Sequence, residues 1–388
     1  MKNFNYHQST KIRFGKGRIS ELADIVLPYG KKVLLVTTPA TIPALQTQYE
    51  KVIKILTDNG IQVTHYDGVR PNPTVETIST GAKMARDFGA EVIIGLGGGS
   101  SMDSAKAISV EATHPGTSWD YLFYKTPQPD PSKLLPVIAV STTSGTGSQV
   151  TQVAVITNTQ ARDKSALYNN ILYPQVCIVD PELMISVPKF VTATTGFDVL
   201  CHAFESTINP GTGAYVDLLA WEAISLVVEY LPKVLANLED IEAREKMAYA
   251  DLLAGLCIAN AGVTLPHGMG MAISGMYPHV AHGESLAIVY PACVAFTWEA
   301  AIPQFSRLAR AFNHGLDSVS DQEAASKSTE EIIQFLKKNE LYKTLKEVNM
   351  PESEIEELAK QCMVLPDYKG NPRVASFDEM IELVKISY

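Results

Sequence analysis

Positive charge is in short supply: 32 Lys and Arg stand against 42 Asp and Glu in 388 residues, a formal net charge of −10. That balance disfavours nucleic acid or an anionic membrane as a partner, since both attract basic faces. Cysteine is sparse too. The five present, at 177, 201, 257, 293 and 362, are odd in number, widely spaced and mostly within apolar runs. Buried free thiols in a reducing compartment are expected rather than a disulfide framework. The opening residues, Met1 to Tyr6, lack the apolar core of a signal peptide, and no uninterrupted apolar run reaches the roughly 18 residues of a membrane span. The expectation is a soluble, cytoplasmic protein. No repeat at a solenoid period and no low-complexity linker is found. What is plentiful is core material, 46% hydrophobic residues, enough for two domains.

The two halves have different rhythms. Up to about residue 180, strand-like stretches, apolar at 33–37, 91–96, 135–140 and 176–179 and alternating at 61–66, are interleaved with helical stretches at 44–58, 75–88 and 102–111. Such βαβ alternation predicts a parallel, doubly wound sheet. From about 181 strand-like runs vanish. Long amphipathic stretches follow at 192–208, 215–238, 241–262, 284–300, 303–313, 320–339, 353–363 and 376–386, which predict an all-helical domain. The domains are placed at 1–183 and 184–388.

Two stretches carry chemistry. Asp198 and His202 are four residues apart in a helical run and so share one face. His267 and His282 follow, each directly before a glycine. One carboxylate and three imidazoles complete a ligand set for a divalent metal, with room left for a substrate oxygen. Taken singly, each histidine reads first as an ordinary surface or capped residue, and it is their number and placement that point to a metal. The second stretch, Gly97-Gly98-Gly99-Ser100, lies between a strand and a helix, where free N–H groups can meet an anion. It is neither a P-loop nor the full G-x-G-x-x-G fingerprint, and a tight turn is the alternative. A polar turn, Ser141 to Ser148, follows a second strand, and two such loops suit a dinucleotide.

In combination the chain resembles the iron-containing (group III) alcohol dehydrogenases. The landmarks are Gly97-Gly98-Gly99-Ser100-x-x-Asp103-x-Ala105-Lys106, Thr142-Thr143-Ser144-Gly145-Thr146-Gly147-Ser148, Asp180-Pro181-Glu182-Leu183, Gly196-x-Asp198-x-x-x-His202-x-x-Glu205 and His282-Gly283. The resemblance implies a Rossmann-like NAD(P)-binding domain, an all-helical catalytic domain, and a metal, usually Fe²⁺ and sometimes Zn²⁺, on Asp198, His202, His267 and His282. It implies that Thr38, Asn72, Gly97, Gly98, Gly99, Ser100, Thr142, Thr143, Thr151, Val153 and Lys164 line the cofactor site. Three departures stand out. Thr38 replaces a common Asp at the adenosine ribose, which leaves both NAD and NADP open. Gln149 replaces a Glu, and Met271 stands where many members carry a further His, with His279 a possible substitute for it.

The expected activity is hydride transfer between a primary alcohol or aldehyde and the nicotinamide, aided by the metal, in a homo-oligomer with a dimer as the default. No separate acid–base residue is picked out. Alternatives are a hydroxyacid–oxoacid transhydrogenase, which the stretch Pro266 to Gly275 resembles, a zinc-dependent glycerol dehydrogenase or dehydroquinate synthase relative, and a metal-free nucleotide-binding module.

Overall fold

A computed structural model describes residues 2–388. The chain forms two compact units: residues 7–188 with 238–248, and residues 2–6 with 189–237 and 249–388.

The first unit holds eight strands: β1 (Lys11–Phe14), β2 (Lys32–Val36), β3 (Gln62–Tyr66), β4 (Val92–Gly97), β5 (Val137–Ser141), β6 (Val153–Asn158), β7 (Asp163–Tyr168) and β8 (Val176–Val179). Six of them form a parallel sheet in the order β1-β8-β5-β4-β2-β3. The central strands are apolar throughout because both faces are covered. Leu34, Val36 and Ile93 pack with Ile78, Ala82 and Ile108 on one face. Val33, Leu35 and Ile94 pack with Val26, Val52 and Leu56 on the other. From β2 the chain winds outward to β3, then crosses back to β4 on the other side of β2. Winding therefore reverses between β2 and β4, which opens a crevice at their C-terminal ends.

Two features depart from the pattern read above. β1 is an added edge strand of four residues, too short for its alternation to register. β6 and β7 form an antiparallel hairpin outside the main sheet. Its loop, residues 159–162, carries neither Asn-Gly nor Asp-Gly, the usual hairpin cue.

The second unit is helical, with no strand among the described residues. Its helix Lys189–Ile208 is buried almost continuously from Thr192 to Thr207. The helix Leu265–Met276 was not foreseen. Every one of its residues is buried, so it shows no amphipathic period, and Pro266, Gly268, Gly270 and Gly275 disguise it further. Its Met269, Ile273 and Met276 pack with Val289 and Cys293 of the helix His282–Thr297 and with Met380 and Leu383 of the helix Phe377–Ile386. Residues 282–312 run on as one helical span whose length and hydropathy would suit a membrane, yet 61% of its most apolar window is buried inside the protein. That burial is what a core helix requires.

Candidate functional site

In the helical unit Asp198, His202 and Glu205 occupy one face of Lys189–Ile208, as their spacing dictates. His267 sits in the first turn of Leu265–Met276, and His282 opens His282–Thr297. Asp198, His267 and His282 each offer one ligand atom, and these atoms lie within 4.8 Å of one another. His202 joins from the side: its Nε2 is 3.5 Å from Asp198 Oδ1, and its ring stacks on that of His267 with centroids 4.6 Å apart.

The buried atoms at the centre lack protein partners. Asp198 Oδ1 and His267 Nε2 face each other at 3.4 Å, and neither makes a hydrogen bond. Leaving two such groups dry and unpaired is costly unless something else satisfies them. Two ligands about 2.1 Å from a tetrahedral ion stand ~3.4 Å apart, so the 3.4 and 3.5 Å separations fit such an ion. The electrostatics agree. Burial alone would raise the Asp198 carboxyl, yet the His202, His267 and His282 imidazoles hold it down at about 2. Burial opposes a charge on His267, but Glu205 and Asp198 outweigh it and push that imidazole up to about 10. The cluster is set to hold a cation.

Glu205 fixes how His267 presents itself. Its Oε1 lies 2.7 Å from His267 Nδ1, while Oε2 accepts the Thr264 N–H at 2.8 Å. A carboxylate only accepts, so Nδ1 carries a proton, and the neutral imidazole that binds a metal would have its lone pair on Nε2. Glu205 is one of the landmarks of the resemblance, and its spacing alone names no task for it. The signal was present, since positions 198, 202 and 205 follow i, i+4, i+7. A further acid, Asp367, lies against the helix Leu265–Met276: a Cβ on Gly268 would stand 3.4 Å from that of Asp367. Burial pushes its carboxyl up to about 6, with His267 pulling the other way. His279 is exposed and bonds the Val348 carbonyl through Nε2 at 3.0 Å, while Met271 is buried.

In the first unit the residues named for the cofactor gather around the crevice and the helix Gly99–Thr113. Val36 pairs with Gly95, and Gly97 pairs with Ser141, so Thr38, Gly97 and Thr142 stand at neighbouring strand tips. The Thr142 N–H donates to the Gly97 carbonyl at 2.9 Å. Thr38 is half-buried with Oγ1 3.1 Å from the Tyr49 hydroxyl. Gly98 and Gly99 face Thr143 and Thr146, and a Cβ on Gly99 would come within 2.6 Å of the Thr146 methyl. Ser100 is in the first turn of the helix, whose N-terminus has no side-chain cap. Asn72, with φ 55°, accepts from Lys164 Nζ at 2.9 Å.

The loop that carries Thr151 and Val153 is fastened from beneath by two landmark residues whose part was not foreseen. Fully buried Lys106 donates to the carbonyls of Ser148, Thr151 and Val153 at 2.7, 2.9 and 2.7 Å. Asp103 accepts the Ser148 hydroxyl at 2.6 Å and the Val155 N–H at 3.0 Å. Burial draws Lys106 down to about 8 and pushes Asp103 up, each against the other's charge. Lysine was the harder to foresee, because buried lysines are rare.

The chain matches known proteins over its length. The model of the iron-containing alcohol dehydrogenases matches residues 9–181, and that of the C-terminal part of the Fe-containing alcohol dehydrogenase family matches residues 192–388. A choline dehydrogenase of Bacillus subtilis is 35% identical over 94% of this chain and 90% of its own. An NAD-dependent methanol dehydrogenase of Bacillus methanolicus is 32% identical over 96% of both. The crystal structure of an alcohol dehydrogenase from an archaeal halo-thermophile of a Red Sea brine pool superposes with a TM-score of 0.94, at 33% identity and over the full length of each chain. The chain belongs to the iron-containing alcohol dehydrogenase family and is an oxidoreductase of that class.

Proposed function

We propose that the protein interconverts primary alcohols and aldehydes by hydride transfer with NAD or NADP, using Fe²⁺, or Zn²⁺ in its place, on Asp198, His202, His267 and His282. The observation that carries this reading is the buried pair Asp198 Oδ1 and His267 Nε2, without protein hydrogen bonds, with Glu205 behind the imidazole. When bound, the metal supplies Lewis acidity to the alcohol oxygen and the nicotinamide supplies the hydride acceptor. The chain's own part is positioning. Glu205 holds the His267 tautomer, and the buried walls of the cluster keep bulk water from its donors. Domain 1–183 orients the dinucleotide through Thr38, Asn72, Gly97, Gly98, Gly99, Ser100, Thr142, Thr143, Thr151, Val153 and Lys164, while domain 184–388 holds the metal. The similarity to a choline dehydrogenase and a methanol dehydrogenase supports an alcohol as substrate. The enzyme is placed in the cytoplasm as a homo-oligomer, a dimer in the simplest case.

Metal analysis of anaerobically prepared protein, with an aldehyde screen using NADH and NADPH in parallel, tests the proposal. About one metal per chain and turnover with at least one cofactor are expected. Protein that binds no metal and turns over neither cofactor would instead be a nucleotide-binding module. The choice of ion is read in air, where an iron enzyme loses activity that Fe²⁺ with thiol restores. All five cysteines are buried, and burial pushes Cys257 up to about 12, so thiol alone restores nothing.

A further inference from the structure

Asp367 differs from the other acids of the helical core. Glu205 is bonded to His267 and Thr264, and Glu284 pairs with Lys343 at 2.6 Å. Its own backbone N–H reaches the Asp367 carboxylate, which among the described residues has no ion pair and no hydrogen bond to another side chain. The cations close to it in sequence are engaged elsewhere: Lys369 lies over the Tyr368 ring, and Arg373 pairs with Glu379 at 2.6 Å. Asp367 belongs to the short helical turn Pro366–Gly370, which packs on the N-terminal turn of Leu265–Met276, and it lies close enough for the His267 and Glu205 charges to act on it.

A charge count sharpens the oddity. A divalent ion together with Asp198 and Glu205 is formally neutral when the histidines are neutral, and Asp367 then leaves one negative charge uncompensated. A partly buried carboxylate without a cationic partner is unfavourable, and a ligand cation would reduce that cost.

We propose that Asp367 selects the substrate, receiving a cationic group carried by the alcohol, so that ammonium-bearing alcohols are favoured and hydroxy acids are turned away. The inference rests on the alcohol dehydrogenase reading above. It also disfavours a transhydrogenase acting on hydroxy acids, because a substrate carboxylate would meet the like charge of Asp367.

The test is a charge series of near-isosteric alcohols, 3-aminopropan-1-ol, butan-1-ol and 3-hydroxypropanoate, at pH 8 with the metal-loaded enzyme. Wild type should rank them cation, neutral, anion in kcat/KM, with roughly tenfold or more between the extremes. Asp367→Asn should collapse the ratio of cation to neutral, and Asp367→Glu should keep part of it. Thermal shift gives a second reading: 3-aminopropan-1-ol should stabilise wild type more than Asp367→Asn. Oxidation of butan-1-ol without preference for the cation overturns this proposal alone, as does a ratio unchanged in Asp367→Asn. No turnover of any alcohol or aldehyde with either cofactor overturns the alcohol dehydrogenase reading, and this proposal with it.

Discussion

The glycine-rich crevice and the histidine cluster are built from opposite materials. The crevice is main chain and hydroxyls: Gly97 to Ser100, Thr142, Thr143 and Thr38 carry no charge, and the buried ions Asp103 and Lys106 are used to fasten a loop. The cluster is made of ionisable side chains whose charges shift one another strongly. A surface of backbone amides recognises shape and yields by degrees when a methyl group intrudes. A nest of coupled charges fails as a unit when one member goes.

Five substitutions put that contrast to measurement. The largest effect is expected from His267→Ala or Asp198→Ala, which leave an incomplete ligand set. Activity should fall by ~10³-fold or more and bound metal to well below one per chain, as read by elemental analysis. Normal metal content with normal turnover in either variant would remove the cluster from the chemistry. Next comes Glu205→Gln, which keeps the shape but loses the charge behind His267. Metal affinity should drop by about 10–100-fold in chelator competition, while NADH binding to the chain stays as it was. In the crevice, Gly99→Ala drives a methyl toward Thr146, and KM for the cofactor should rise by up to ~10²-fold with metal content unchanged. Loss of metal in that variant would blur the two sites into one. The smallest change, Thr38→Asp, should lower the NADPH to NADH ratio of kcat/KM by roughly tenfold, through repulsion of a 2′-phosphate. An unmoved ratio would place the adenosine ribose elsewhere.

What could be read from the sequence follows the same division between local and distant causes. β2, β4, β5 and β8 were legible because burial on both faces leaves apolar runs, as in Val92 to Leu96, and the edge strand β3 was legible by its alternation. Asp198 and His202 were legible as neighbours on one helix turn. The helix Leu265–Met276 was not, since a segment buried all round has no polar face to mark its period. The hairpin β6–β7 hid behind a loop without turn residues. That His267 and His282 meet Asp198 depends on contacts spanning more than sixty residues, and only the resemblance pointed to it. Asp367 had no local signal. A lone acid in a turn becomes notable only when nothing in the fold pairs with it.

Gly283 follows His282 at the point where its helix meets the helix bearing Asp198, and a Cβ there would collide with the Thr194 carbonyl. Two of the proposed ligands are thus held by main chain resting on main chain, a joint with no rotamers to rearrange. Metal uptake then becomes a matter of filling rather than folding. Loading should release little heat capacity and leave the far-ultraviolet circular dichroism spectrum unaltered, unlike the small zinc domains that exist as coils until their ion arrives.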